Sequence, residues 1–190
     1  MGNGKIDTLK NVLKLETEGI SPIGTIGLII LAVVIVLIVG IFLHKMKGVA
    51  YKRVISAMLI VAYLVIMLSL TILRRTPGSR YGFDLDINLG FGLKGHTPTV
   101  WGSAFSILNI LLFVPYGILV GNTLRLKERN HMMVRTALTG FVTSALIEIT
   151  QFITSTGNFE LTDLLTNTFG AFIGSVIIII FLKLRRENSK

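Results

Sequence analysis

Hydrophobic residues in this chain fall in blocks rather than in alternation. Five apolar stretches, roughly 21–43, 54–73, 104–124, 136–156 and 164–182, are separated by segments that hold most of the charge. Blocks of about 20 residues are long enough for an α-helix to cross the hydrocarbon core of a bilayer. No Lys or Arg sits inside any of them. The pattern therefore predicts an all-α polytopic membrane protein, a bundle of five transmembrane helices. The first span opens after Ser21-Pro22, a good cap and first-turn pair. It begins too late and runs too long for the core of a cleavable signal peptide.

Four segments follow from this division. Residues 1–20 are polar and nearly charge-balanced. Ile6, Leu9 and Leu13 suit the apolar stripe of a short interfacial helix, and a disordered tail fits the composition equally well. Residues 21–53 hold the first span and a basic hairpin with His44, Lys45, Lys47, Lys52 and Arg53. Residues 54–183 form a four-helix unit, and 184–190 a basic tail. The third span contains Pro115, which removes one helical hydrogen bond and is expected to kink the helix. Gly157-Asn158 reads as the turn between the fourth and fifth spans.

Charge sets the expected sidedness. The 44–53 hairpin, the 125–135 loop and the C-terminal end each carry four Lys or Arg, and the 157–163 connection carries none. The positive-inside rule places the C-terminus in the cytoplasm and the N-terminus outside. Arg74, Arg75, Arg80 and Lys94 in the 74–103 loop run against this, partly offset by Asp84 and Asp86.

Composition narrows the function classes. The chain of 190 residues is 52% hydrophobic and 15% charged, with a mean hydropathy of +0.73; soluble domains carry about a quarter charged residues. With no cysteine, disulfides, thiolate catalysis and cysteine-bound metals are excluded. The net charge of +9 lies at the block ends, where it suits anionic lipid headgroups rather than nucleic acid. His44, His96 and His131 lack ligand spacing, so neither a metal nor another cofactor is expected. Gly90-Phe-Gly92 is too short for a phosphate loop.

The candidate chemistry lies where polar residues interrupt the apolar blocks. On the fourth span Ser144, Glu148, Gln151 and Ser155 share one helical face, which Gly140 extends. Asp163 stands at the mouth of the fifth span and Asn167 one turn deeper, followed by Gly170 and Gly174. Ser106, Asn109, Phe113 and Gly117 share a face of the third span, and Arg74 and Arg75 end the second. With the topology above, four helices bring these groups to one layer in the outer half of the membrane, predicting a polar cavity open to the outside. The bland alternatives are concrete. Asn109, Gln151 and Asn167 can serve as hydrogen-bonded links between helices, and Asp163 as a cap on its helix. Glu148 is harder to dismiss, because a short acid more than a turn inside the membrane needs a cation such as Arg74 or Arg75, or must be held neutral.

The run Asn109-Ile-Leu-Leu-Phe113-Val-Pro115-Tyr-Gly117 resembles the N-x-x-x-F-x-P-x-G core of the VanZ family, known for low-level resistance to the glycopeptide teicoplanin. Glu148-x-x-Gln151 followed by Asp163-x-x-x-Asn167-x-x-Gly170 is similar to that family's second signature. Arg74-Arg75-Thr76-Pro77 matches the arginine that members often carry after the second span. The resemblance covers roughly 54–182 and leaves the first span and N-terminal tail outside. Many members carry a further arginine before the aspartate, where this chain has Gly157-Asn158-Phe159-Glu160; any role of that arginine is lost here or taken by Arg74, Arg75 or Arg80.

The resemblance implies a multi-pass protein of the bacterial cytoplasmic membrane that lowers susceptibility to lipid-tailed glycopeptides. Membrane lipids, the lipoglycopeptide or a lipid-linked cell-wall precursor are its expected partners, and a homo-oligomer built on the glycine stripes is a further expectation. The alternative is an intramembrane enzyme acting on a lipid or lipid-linked precursor, with Glu148 and Asp163 as acid and base. No nucleophile motif accompanies that pair, and the sequence leaves open whether any reaction is catalysed.

Overall fold

The structure, a computed structural model, describes residues 3–92, 99–124 and 129–188, the side chains of residues 3–5, 9 and 129 excepted. Lys94, His96 and the 125–128 part of the basic loop lie outside the described residues. Six helices follow one another: α1 Asn3–Thr17, α2 Pro22–Lys47, α3 Tyr51–Leu68, α4 Val100–Leu124, α5 Arg129–Ile153 and α6 Leu161–Glu187. A π-helical turn, Ser69–Leu73, prolongs α3. Helices α2 to α6, with α3 counted to Leu73, are long and apolar enough to cross a membrane, so five spans stand as expected.

Their ends are set by local chemistry. Ser21 Oγ accepts from Gly24 N at the start of α2, and Gly48, at φ +66°, closes its other end by donating to His44 O. The fourth spanning helix starts at Arg129, so His131 and Arg135 belong to its first turns rather than to a loop. The last helix continues to Glu187 and takes up Lys183, Arg185 and Arg186, most of the basic tail. Long basic side chains are compatible with a helix end near a headgroup layer because they can snorkel. Helix α4 runs unbroken through Pro115; nearby, Tyr63 Oη donates to Leu112 O at 2.7 Å.

The core lies between α4, α5 and α6, with Met67 of α3 against it. Phe113, Met67 and Ala171 are fully buried there. Helices α4 and α6 approach each other backbone to backbone. A Cβ on Gly117 would collide with Ala171 O, one on Gly170 with Ile110 O, and one on Gly174 with Val114 O. Gly140 of α5 closes on the Ala171 methyl in the same layer. Small residues thus let spanning helices pack closely. The glycine stripes expected to pair two copies are consumed inside one chain. Helix α2 is peripheral: its single buried residue is Gly40, pressed against Val54 of α3.

Two expectations are corrected at the end where α1 lies. The bundle is not purely helical, because β1 (Arg80–Asp84) and β2 (Thr156–Glu160) pair in parallel, Arg80 opposite Thr156 and Asp84 opposite Glu160. Helices α3 and α5 end at the same level, and both chains must then reach the starts of α4 and α6, so the connections run side by side in one direction. Phe83 stacks on Phe159 with ring centres 5.0 Å apart. Gly157 and Asn158 are therefore strand residues; the turn falls at Thr154–Ser155, where Ser155 adopts φ +52°.

The N-terminal segment forms a helix, α1, whose described side chains are mostly exposed. Helix α1 packs on α4 and buries Val12 completely. Of the expected stripe, Ile6 and Leu13 are both exposed, and Leu13 also lines a cavity at the bundle end; the Leu9 side chain lies outside the description.

Candidate functional site

At this end of the bundle the helices splay around a cavity of about 330 Å³. It opens into a second chamber of about 230 Å³, and Glu16, Arg75, Asn109, Gln151 and Asp163 line both. The first chamber is walled by Leu13, Leu70, Leu108, Leu112 and Ile147, with Tyr63, Glu148 and Asn167 as polar points. The second is polar, with Arg80, Asn88, Ser106, Asn158, Glu160 and Thr162. Six of the seven expected site residues meet in this space; Arg74 does not.

Each finds a specific partner. Gln151 Nε2 donates to Thr71 O at 2.9 Å, tying α5 to the π-turn. Backbone carbonyls near a helix end lack intrahelical partners, so a side chain from a neighbouring helix can occupy one. Asn109 Nδ2 donates to Asp163 Oδ1 at 2.7 Å and joins the third turn of α4 to the start of α6. Asn167 Nδ2 donates to Ser144 Oγ at 2.9 Å, while its Oδ1 is buried without a partner among the described residues. Thr162 accepts from Asn88 N and donates to Asp86 O, which pins the strand-to-α4 connection over α6.

Glu148, only 2% exposed, has no cation within salt-bridge distance among the described residues. Its Oε2 accepts from Glu160 N at 2.9 Å, at the junction of β2 and α6. The expected Arg74 partner is engaged elsewhere: Arg74 Nη2 lies 2.7 Å from Glu16 Oε2, and Nη1 donates to Leu15 O at 2.6 Å. Arg74 therefore fastens α1 to the bundle instead of neutralising Glu148. Gly19, at φ +84°, makes this clasp fit, because a Cβ there would collide with the Arg74 carbonyl oxygen.

Arg75 points the other way, into both chambers. Its guanidinium makes one hydrogen bond among the described residues, a long one, Nη1 donating to Thr156 O at 3.3 Å. Gly157 permits this placement, since a Cβ would lie 2.7 Å from Arg75 Nη1. Burial first, then the neighbouring Arg74, lowers the Arg75 pKa from its ordinary value; a guanidinium remains charged throughout. The Glu160 carboxyl is pushed up by burial first and by Asp84 second, against the opposing pull of Asn158, Arg75 and Arg80.

Sequence reasoning missed Glu16, Glu160 and Tyr63 as site residues. Glu160 stands three positions before Asp163, a spacing that signals a shared face once α6 is known to start at Leu161. Glu16 follows Leu13 by three in the same way, but nothing in the pattern of α1 says which surface it covers.

The model of the VanZ/LLP1 family matches residues 27–182. The match thus reaches into α2, beyond the 54–182 region that carries the recognisable motifs. No curated protein and no solved structure matches the chain.

Proposed function

Because this chain belongs to the VanZ/LLP1 family, we propose that it lowers susceptibility to lipid-tailed glycopeptide antibiotics of the teicoplanin kind by engaging an amphiphile in its two-chamber cavity. Five helices of spanning length in a family-matched chain make it a multi-pass membrane protein. Its place in this reading is the bacterial cytoplasmic membrane, with the cavity in the outer half and the basic helix ends inside.

The observation that carries the proposal is the adjoining of a polar and an apolar chamber across a shared row of Arg75, Asn109, Gln151 and Asp163. Ligand sites are typically concave and largely apolar, with few placed polar groups. Such a shape suits a molecule with one polar and one greasy end. Glycopeptides act outside the membrane on wall precursors, and an acyl tail anchors them in the outer leaflet. A pocket at that depth can hold the drug, or the lipid-linked precursor it seeks.

The test is growth inhibition by teicoplanin and by vancomycin in a susceptible Gram-positive host, with and without the gene. Selective protection against teicoplanin is expected, lost in Glu148→Gln and Asp163→Asn at normal membrane abundance. Both substitutions keep an acceptor oxygen for Glu160 N or Asn109, so they remove charge with little change in shape. Full protection by both variants at equal expression would sink the site assignment.

A further inference from the structure

We propose that the occupant of the two chambers is a phospholipid-type amphiphile with an amine-bearing phosphate head, the phosphate on Arg75 and Arg80 and the ammonium on Glu160 and Asp163. The inference rests on the reading of the cavity as an amphiphile site and names the class of ligand.

Arg75 carries five N–H donors in a planar fork, and among the described residues it spends one of them, on the long bond to Thr156 O. Leaving a half-buried guanidinium so poorly satisfied is costly unless an anion completes it. Arg80 lines the same polar chamber, and its side chain makes neither a hydrogen bond nor an ion pair among the described residues. Two guanidinium groups around one chamber match a phosphate, which accepts two parallel N–H bonds from each.

A plain anion leaves the acids of that chamber unanswered. Glu16 is neutralised by Arg74 at 2.7 Å, whereas Asp163 has only Oδ1 engaged, by Asn109, and Glu160 lies half-buried. A head with phosphate and primary amine answers both signs at once: burial first and Asp84 second raise the Glu160 carboxyl against the pull of Asn158, Arg75 and Arg80, and an ammonium beside it would add to that pull once a phosphate engages the two arginines. The chain of the amphiphile has its own room. Leu13, Leu70, Leu108, Leu112 and Ile147 wall the first chamber, and Leu111, which also lines it, is 57% exposed.

The experiment uses the full chain purified in non-ionic detergent and reads affinity for three probes: dihexanoyl phosphatidylethanolamine, dihexanoyl phosphatidylglycerol and inorganic phosphate. The amine-headed lipid is expected to bind at least about tenfold more tightly than the glycerol-headed one, about 1.4 kcal/mol, and phosphate more weakly than either. Arg75→Gln and Arg80→Gln should each weaken it by a similar factor. Arg80 is exposed, so its variant keeps the proposal testable if Arg75→Gln fails to fold. Equal affinity for the two lipids, binding unchanged in Arg80→Gln, or phosphate binding as tightly as lipid would each overturn the proposal. Any of these alongside teicoplanin protection that still needs Glu148 would overturn the ligand class alone and leave the proposed function standing.

Discussion

Ser144 and Asn167 form a fully buried pair in which Asn167 Nδ2 donates to Ser144 Oγ and Asn167 Oδ1 is unpaired among the described residues. The amide is already half satisfied, so removing the hydroxyl leaves its donor without a partner as well. Ser144→Ala is expected to cost about 1–2 kcal/mol, the usual range for orphaning a buried polar group and near the upper range of interhelical bonds in membranes. Thermal unfolding in detergent measures it. The spacing of Ser144, Glu148 and Gln151 placed them on one helical face, and they do share it. Their partners were not legible, because Asn167 Nδ2, Glu160 N and Thr71 O belong to three different segments. A carboxylate or amide advertises that it needs a partner, not which one it gets.

Among the elements, α4 and α6 are held by close backbone approach rather than by large side chains. Gly174→Leu must force a side chain into Val114 O and Gly117 Cα, both on the backbone of a packed helix. Overpacking of this kind costs about 1–3 kcal/mol, read as a lower midpoint of thermal unfolding. Gly27→Ala on α2 is the control, because a Cβ there meets nothing within 4 Å. It is expected to leave the midpoint unchanged or raise it, alanine being the better helix former. The difference between these two glycines was partly visible beforehand. Gly170 and Gly174 recur at helical spacing, beginning one turn from Asn167, whereas Gly24 and Gly27 also recur at helical spacing but in a span with no carboxylate or amide.

For the whole molecule, the sidedness of the bundle decides whether the cavity meets an extracellular drug. The chain has no cysteine, so single replacements report accessibility cleanly. Ser79→Cys lies in the exposed connection before β1 at the cavity end, and Met46→Cys at the basic end, 67% exposed. A membrane-impermeant maleimide on intact cells is expected to label the first and spare the second. The reverse pattern would put the cavity in the cytoplasm and remove the basis for meeting glycopeptides there. The same end also gains a cover that spans alone do not supply, since α1 is fastened by the Arg74–Glu16 pair and lends Leu13, Glu16 and Thr17 to the cavity wall.

The five spanning helices were legible in the chain alone, because apolar runs of that length without Lys or Arg have few other stable arrangements in a bilayer. So were the helical faces that carry the polar groups, since helical periodicity is a local property. Packing of distant segments against one another settled the rest. It gave Arg74 to α1 and Arg75 to the cavity, although the two are adjacent and chemically identical, because consecutive residues at a helix end point in different directions. It turned an apparent turn at Gly157 into a strand, since β1 offers unpaired backbone groups only once α3 and α5 end at one level. And it brought Glu16 to the site across 58 residues of chain from Arg74. Contacts of that separation depend on how whole helices stack, which no local pattern encodes.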